Sequence, residues 1–598
     1  MSAREAWAVM TAAVVVLAAI LGGAFYPGQR IVVGVLLVCS LGVGVVVSWG
    51  RIRPEEGLAL AFIACAVVSA IGASAAPLAA REAVAVWVVA GGLFFVARRL
   101  AEGSSNVTLT VVSIGGVVVA LGVACEALGF GGIRVGGLLE NPNIAASLLV
   151  VTIPTLGAIE GGQRWRTAAA AVVVLGLLLT GSRAGLLALL VSAAYFLPRG
   201  RLRVVGLVAG GLGIGAIVAW RFINQPDILA WFRPAIWAAV LRLWMDHPLL
   251  GVGPGGLVDA AGVERLLHAD HVGQRQFLIS YAESSPLALL VQTGIIGFVV
   301  AAAALFVWWR RTCSGRRLPR PFATALAAMA VMAAFHDFLT IDVVLWWWAL
   351  SIGLMEAGIH PRPASERLPI RAAKGRAVAG LVLAFIVLWG VVQPAWARWL
   401  WRSGAPDELL VARSMRAEPW LAVPLEWRVR KLVSLESWGW ETAAEAISHG
   451  QRAVRIHPGA ARLWSLLGMV QARVVTDLGP WPDSVDGARE AFARAVELEP
   501  YQPWAWLEWA RLERNLGNTS EAVDLVRKAL EAEPNTVRAR LFLARLELDR
   551  GHLDAAREAY SQAVASARLR ARIGLSAYER ELLSAPAWQY REIGQALR

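Results

Sequence analysis

Charge is scarce in this chain. Asp, Glu, Lys and Arg together make up 17% of the 598 residues, against about 25% in ordinary soluble domains. Cysteine is scarcer still. Three of Cys39, Cys65, Cys125 and Cys313 lie inside apolar runs and none forms a C-x-x-C pair, so no disulfide framework or zinc site is expected. A cleavable leader is not expected either: the first apolar run, from about Ala6, has no small-residue cleavage site and many other runs follow it. The net charge of +13 does not point to nucleic acid. The arginines sit in short loops between apolar runs, where membrane orientation demands them.

What the chain has in quantity is apolar length: 57% of its residues are hydrophobic. Runs near ~20 residues long, enough for a bilayer crossing, recur through the first two-thirds. We place spans at 6–26, 31–49, 57–76, 82–97, 107–128, 143–160, 167–181, 184–197, 204–222, 286–309, 321–339, 343–358 and 377–396. Lipid offers backbone amides no partner, so each span is expected to be helical. The expected fold is all-α: a bundle of about 12–13 spans over residues 1–400, a connection over 401–440, and a second helical domain over 441–598. With Arg4 inside, every inside loop is arginine-rich: Arg51 and Arg53, Arg98 and Arg99, Arg164 and Arg166, then Arg199, Arg201 and Arg203. The short outside loops hold only Arg30, Arg81, Arg134 and Arg183. That alternation predicts that the long loop 223–285 and everything after the last span face outward.

The C-terminal domain repeats every 34 residues. Pro500 matches Pro534 and Gly517 matches Gly551, while Ala488, Ala522 and Ala556 fall in register, as do Ala495, Ala529 and Ala563. An earlier copy holds Ala446, Ala453 and Pro458, with "DLGPWPDS" inserted after it. Small residues where helices cross and a turn proline at this period resemble tetratricopeptide repeats, which stack into a solenoid and present a concave surface to a protein partner.

Four stretches at the predicted outer face hold candidate functional residues. In "GGLLENPNIAASLL", Asn141 and Asn143 flank Pro142 at a helix start, and capping is the plainer role. In "LLLTGSRAGLLALL", Arg183 stands between two apolar runs, where a charge faces either a wet interior or the lipid phosphates. "FRPAIWAAVLRLWMDHPLLGVGPGG" reads as an amphipathic helix along the membrane, with Arg233, Arg242 and His247. Its glycine-rich tail has no strand before it and no Lys-Ser/Thr after it, so a nucleotide loop is not expected. In "ISYAESSPLALLVQTGIIGF", Glu283 and Ser284 stand just before a long apolar run. A carboxylate there gains about 0.3–1 kcal/mol from the helix dipole, which does not explain a charge set against a membrane.

Taken in order, "NPN", "SRAG", "RPAIW…HPLLGVGPG", "LLVQTGIIGF" and "HDFLTID" resemble the O-antigen ligase and polymerase superfamily over roughly residues 130–358. The resemblance implies a membrane glycosyltransferase that passes a glycan from an undecaprenyl-diphosphate carrier to an acceptor hydroxyl, on the outer side of the cytoplasmic membrane. Family members commonly carry His where this chain has Glu283, and Asn where it has Ser284.

Arg183 and Arg233 are then expected to grip the diphosphate, with Arg242 a weaker third. Glu283 is expected to act as the base, its carboxyl lifted by burial and opposed by nearby arginines. Asn141, Asn143, Ser284 and His247 are the expected substrate-binding residues. No cofactor is implied, and no metal: the predicted outer loops lack D-x-D, "YPGQR" holds no acid, and His268, Asp270 and His271 show no further ligand pattern. A polysaccharide polymerase of the same superfamily fits equally. A non-catalytic scaffold or a transporter remains the alternative from another class.

Overall fold

The computed structural model describes residues 3–48, 53–73, 75–100, 105–130, 134–196, 200–224, 228–268, 271–313, 318–359, 372–402, 408–436, 438–572 and 574–598. Asp270 lies outside them. Among the described residues there is no β-strand, only an isolated antiparallel bridge between Leu266 and Phe277. The protein is all-α, and each of the thirteen stretches placed from sequence falls on a helix. Among the described residues, seven helices are long and apolar enough to cross a membrane and four further apolar helices are shorter.

The bundle marks its two ends with ion pairs. Near one end of the Pro77–Leu100 helix, Glu82 binds Arg398 and Arg81 binds Glu418, while Arg30 reaches Asp342 at 2.8 Å. At the other end, Arg98 meets Glu356 at 2.8 Å and Glu55 at 3.2 Å, and Arg99 meets Glu56 at 2.7 Å. Arg81 and Arg98 stand about 26 Å apart along the helix at 1.5 Å per residue, close to a bilayer's hydrocarbon thickness. Between them lies a packed aliphatic core in which Leu93, Leu148, Trp346 and Trp347 are fully buried.

One long helix, Ser285–Cys313, is broken inside its apolar run. Gly294 takes φ 63° and ψ −173°, which interrupts the helical hydrogen bonds. The glycine-rich tail 248–256 fills the break. The amide of Val252 donates to the Val291 carbonyl (2.8 Å), and those of Ile295 and Ile296 donate to the carbonyls of Pro248 (2.9 Å) and Leu249 (3.4 Å). The approach is possible only without side chains: a Cβ on Gly294 would stand 2.1 Å from the Leu249 carbonyl oxygen, and one on Gly251 2.4 Å from that of Val291. The tail's glycines therefore complete a membrane helix. They also lock it to the Ile228–Asp246 helix, which ends just before the tail.

The C-terminal helices pair as Val423–Val433 with Trp440–Ile456, Ala461–Asp477 with Pro482–Leu498, Pro503–Asn515 with Thr519–Ala532, and Val537–Asp549 with Leu553–Arg568. The alanines that set the period are fully buried between helices. Each turn is tied the same way, six residues after its proline. Trp464 donates to the Pro458 carbonyl (2.8 Å), Trp506 to that of Pro500 (2.9 Å) and Arg540 to that of Pro534 (2.9 Å). The array rests on the Arg81 end of the bundle, where the Gly459 amide donates to the Ala75 carbonyl at 3.0 Å.

Candidate functional site

Three chain segments converge beside the broken helix. Arg233, in the first turns of the Ile228–Asp246 helix, reaches Glu283 just before the Ser285–Cys313 helix, Nη2 to Oε2, at 3.2 Å. His336, at the end of the Arg320–Phe335 helix, brings Nδ1 to 3.7 Å from the same carboxylate oxygen. Ser285 ties the segments together: its hydroxyl donates to the His336 carbonyl (2.7 Å) and accepts from the Phe338 amide (3.1 Å). Glu283 itself has φ 51°. A left-handed backbone at a non-glycine residue is uncommon and tends to mark functional positions, because tertiary contacts must hold it there.

The electrostatics differ from the expectation for Glu283. Burial pushes its carboxyl up, but His336 and Arg233 outweigh burial and hold it below the usual glutamate range. His336 is pushed down by burial, with Glu283 opposing and Arg233 and Arg183 adding to the fall, which favours the neutral ring. The field of Arg183 at His336 brings this arginine, the first residue of the Arg183–Phe196 helix, into the same electrostatic neighbourhood. Next in the chain, burial pushes the Asp337 carboxyl up to about 7, Glu283 adding to the rise and the amides of Leu339 and Ala282 opposing it.

The remaining sequence candidates lie in other settings. Arg242 makes a two-pronged pair with Glu264, at 2.9 and 2.7 Å, and is largely exposed. It is nine residues along the helix from Arg233, about 13 Å at 1.5 Å per residue. His247 is exposed beyond the far end of that helix. Asn141 caps the Pro142–Ala158 helix, its side chain accepting from the amides of Asn143 (2.9 Å) and Ile144 (3.4 Å). Ser284 is buried, and its carbonyl accepts from the Ala288 amide as the next helix begins. Sequence reasoning quoted "HDFLTID" without assigning His336 or Asp337. The signal was there: two ionisable residues in a short turn between apolar helices are functional candidates by default. Among the described residues no cluster of His, Cys, Asp and Glu could hold a metal.

Residues 168–302 match the family model for O-antigen ligase, and residues 503–546 match that for the tetratricopeptide repeat. Within the membrane half, residues 168–302 are thus similar to an O-antigen ligase domain. The ligase match spans Arg183, Arg233, Arg242, His247, Glu283 and Ser284, and stops before His336. It supports a ligase- or polymerase-type glycan-processing membrane enzyme, and the apolar helices make the chain a multi-pass membrane protein. No curated protein matches the chain. Among solved structures, MamA from Desulfovibrio magneticus RS-1 is similar at 14% identity, over 30% of this chain and 96% of its own, with a TM-score of 0.25. A TPR protein of Thermus thermophilus, TTC0263, is similar at 19% identity, over 32% and 88%, with a TM-score of 0.25.

Proposed function

We propose that this protein transfers a glycan from an undecaprenyl-diphosphate-linked donor to an acceptor hydroxyl at the outer face of the cytoplasmic membrane, with inversion and without a metal. The observation that carries the reading is the Arg233–Glu283–His336 cluster, with Arg183 within electrostatic reach; Arg183, Arg233 and Glu283 lie within the stretch that matches the ligase family model, and His336 lies beyond it. Arg183 and Arg233 grip the diphosphate and stabilise the charge that develops as it leaves. Glu283 orients the acceptor hydroxyl and takes its proton. His336, whose Nδ1 stands 3.7 Å away, receives that proton in turn on Nδ1 in the tautomer that carries its hydrogen on Nε2, which offsets the low basicity that Arg233 imposes on the carboxylate. The acceptor oxygen forms its bond to the anomeric carbon, and the electron pair of the breaking bond leaves on the diphosphate. In this reading Arg242, Asn141, Asn143, Ser284 and His247 contribute to substrate binding rather than to the chemical step. The array and the 228–285 segment occupy the same side of the membrane, the periplasmic one.

The test is transfer in membranes supplied with lipid-linked glycan. E283Q and H336N are each expected to lower kcat by about 10²–10⁴-fold, the usual loss when a general base is removed. R183A and R233A are expected to fail at comparable protein levels. Full transfer by all four well-folded variants would remove the site. A polymerase shares this chemistry, and product length separates the two: loss of a polymerase leaves single repeats, whereas loss of a ligase leaves polymer on the carrier.

A further inference from the structure

The repeat array has a ligand within its own chain. The residue before each turn proline closes the second helix of its pair: His457, Glu499 and Glu533 hold equivalent places, their amides donating to the carbonyls of Ala453, Ala495 and Ala529. All three side chains turn to the same partner, the segment between the Ile228–Asp246 and Ser285–Cys313 helices. His457 Nε2 meets Asp259 Oδ2 at 2.7 Å. Glu499 Oε2 accepts from Arg265 Nη2 at 2.8 Å. Glu533 is fully buried, and its two oxygens accept from the backbone amides of Gln274 (2.9 Å) and Arg275 (2.8 Å). The order along the segment follows the order of repeats. The chemistry changes at each step: a His–carboxylate pair, an ion pair, and a carboxylate on peptide amides.

The fit extends beyond these three contacts. Asn535 donates to the Val272 carbonyl at 3.0 Å, and Val272 is buried among Val537 and Leu541. The Arg275 guanidinium lies 4.0 Å over the Tyr501 ring. Gly262 passes so near the Leu498 carbonyl oxygen that a Cβ would stand 2.3 Å from it. Beyond Gln276 the segment continues through the Phe277 bridge and buried Ile279 and Ala282 to Glu283.

We infer that the array is a receptor for residues 259–268 and 271–276 of its own membrane domain, reading them with one capping side chain per repeat, and that it thereby positions the stretch of chain leading to Glu283. The second half of this inference rests on the proposed transfer function; the first does not. Glu533 is in these terms a positioning residue, acting through the backbone it holds.

The experiment uses the full-length protein in detergent and two readouts. Hydrogen exchange of segment 271–283 reads the docking with no substrate present. Steady-state transfer of lipid-linked glycan reads its consequence. E533A, and separately Q274P, which removes a donor from the loop side and leaves the array's own residues untouched, are each expected to speed exchange across 271–283 by about tenfold or more, the scale of one charge-assisted hydrogen bond. Both are expected to lower kcat with little change in KM for the donor. R265E and E499R are each expected to loosen the segment, and the double swap to restore it. Unchanged exchange in E533A and Q274P overturns the receptor. Faster exchange confined to 271–276, with kcat intact, overturns the positioning role. A wild type that transfers nothing defeats the functional reading, while the exchange data still decide the docking.

Discussion

Glu283 and Asp337 are two carboxylates at one site pushed in opposite directions. Both are desolvated; Glu283 faces His336 and Arg233, whereas Asp337 faces mainly amides and the negative charge of Glu283. That contrast is testable through stability. With its carboxyl pushed up to about 7, Asp337 retains in the folded state a proton that the unfolded chain releases near pH 4. The contribution is complete below about pH 4 and is lost as the pH rises to about 7. D337N cannot titrate, so its melting temperature is expected to stay flatter across this range than that of the wild type. An equal pH dependence in both would show that Asp337 is not the group responsible. At this scale the sequence was informative but incomplete. Arg233 and Glu283 were legible as charges against a membrane, but His336, 53 residues after Glu283, was not, because nothing local says which turns meet.

The broken helix shows how an element is completed by another. Gly294 holds a conformation that costs other residues about 1–3 kcal/mol, and the 248–256 tail supplies the hydrogen bonds that the break leaves open. G294A is expected to lose stability by at least that amount, because its methyl would also meet the Leu249 carbonyl; G251A should behave similarly against Val291. Melting in detergent measures both, and a melting temperature within a degree of wild type in either variant would contradict the interlock. In the sequence, "GVGPGG" lacks the preceding strand and following Lys-Ser/Thr helix of a phosphate loop. Its actual partner, a glycine some forty residues later, carries no local signature. Helices themselves were readable because apolar length alone dictates them in lipid.

Across the whole molecule, the two halves are joined by buried charge as well as by the loop. Arg81 of the bundle and Glu418 of the connecting segment are 8% and 1% exposed and pair directly. Removing one partner strands the other, at roughly 3–5 kcal/mol. E418A is therefore expected to lower the melting temperature of the full-length protein markedly, and the R81A and E418A double variant to recover part of the loss. Additive losses in the double variant would show that the pair is not coupled. Removal of the chain after about residue 400 would therefore unpair Arg81 and free Asp259, Arg265, Gln274 and Arg275 from their partners in the array together.

Apolar run length, arginine alternation and a 34-residue period are one-dimensional quantities, and from them followed the helical bundle and the repeat array; the ligase-like order of motifs was legible only as a resemblance to a known family. Each reflects a constraint that acts along the chain: a bilayer thickness, a charge rule, a stacking unit. The meeting of Glu283 with Arg233 and His336, the glycine tail filling a broken helix, and the array closing on its own loop were decided only in three dimensions. Those contacts join residues far apart in the chain, and their energy depends on burial and distance, which no local pattern encodes.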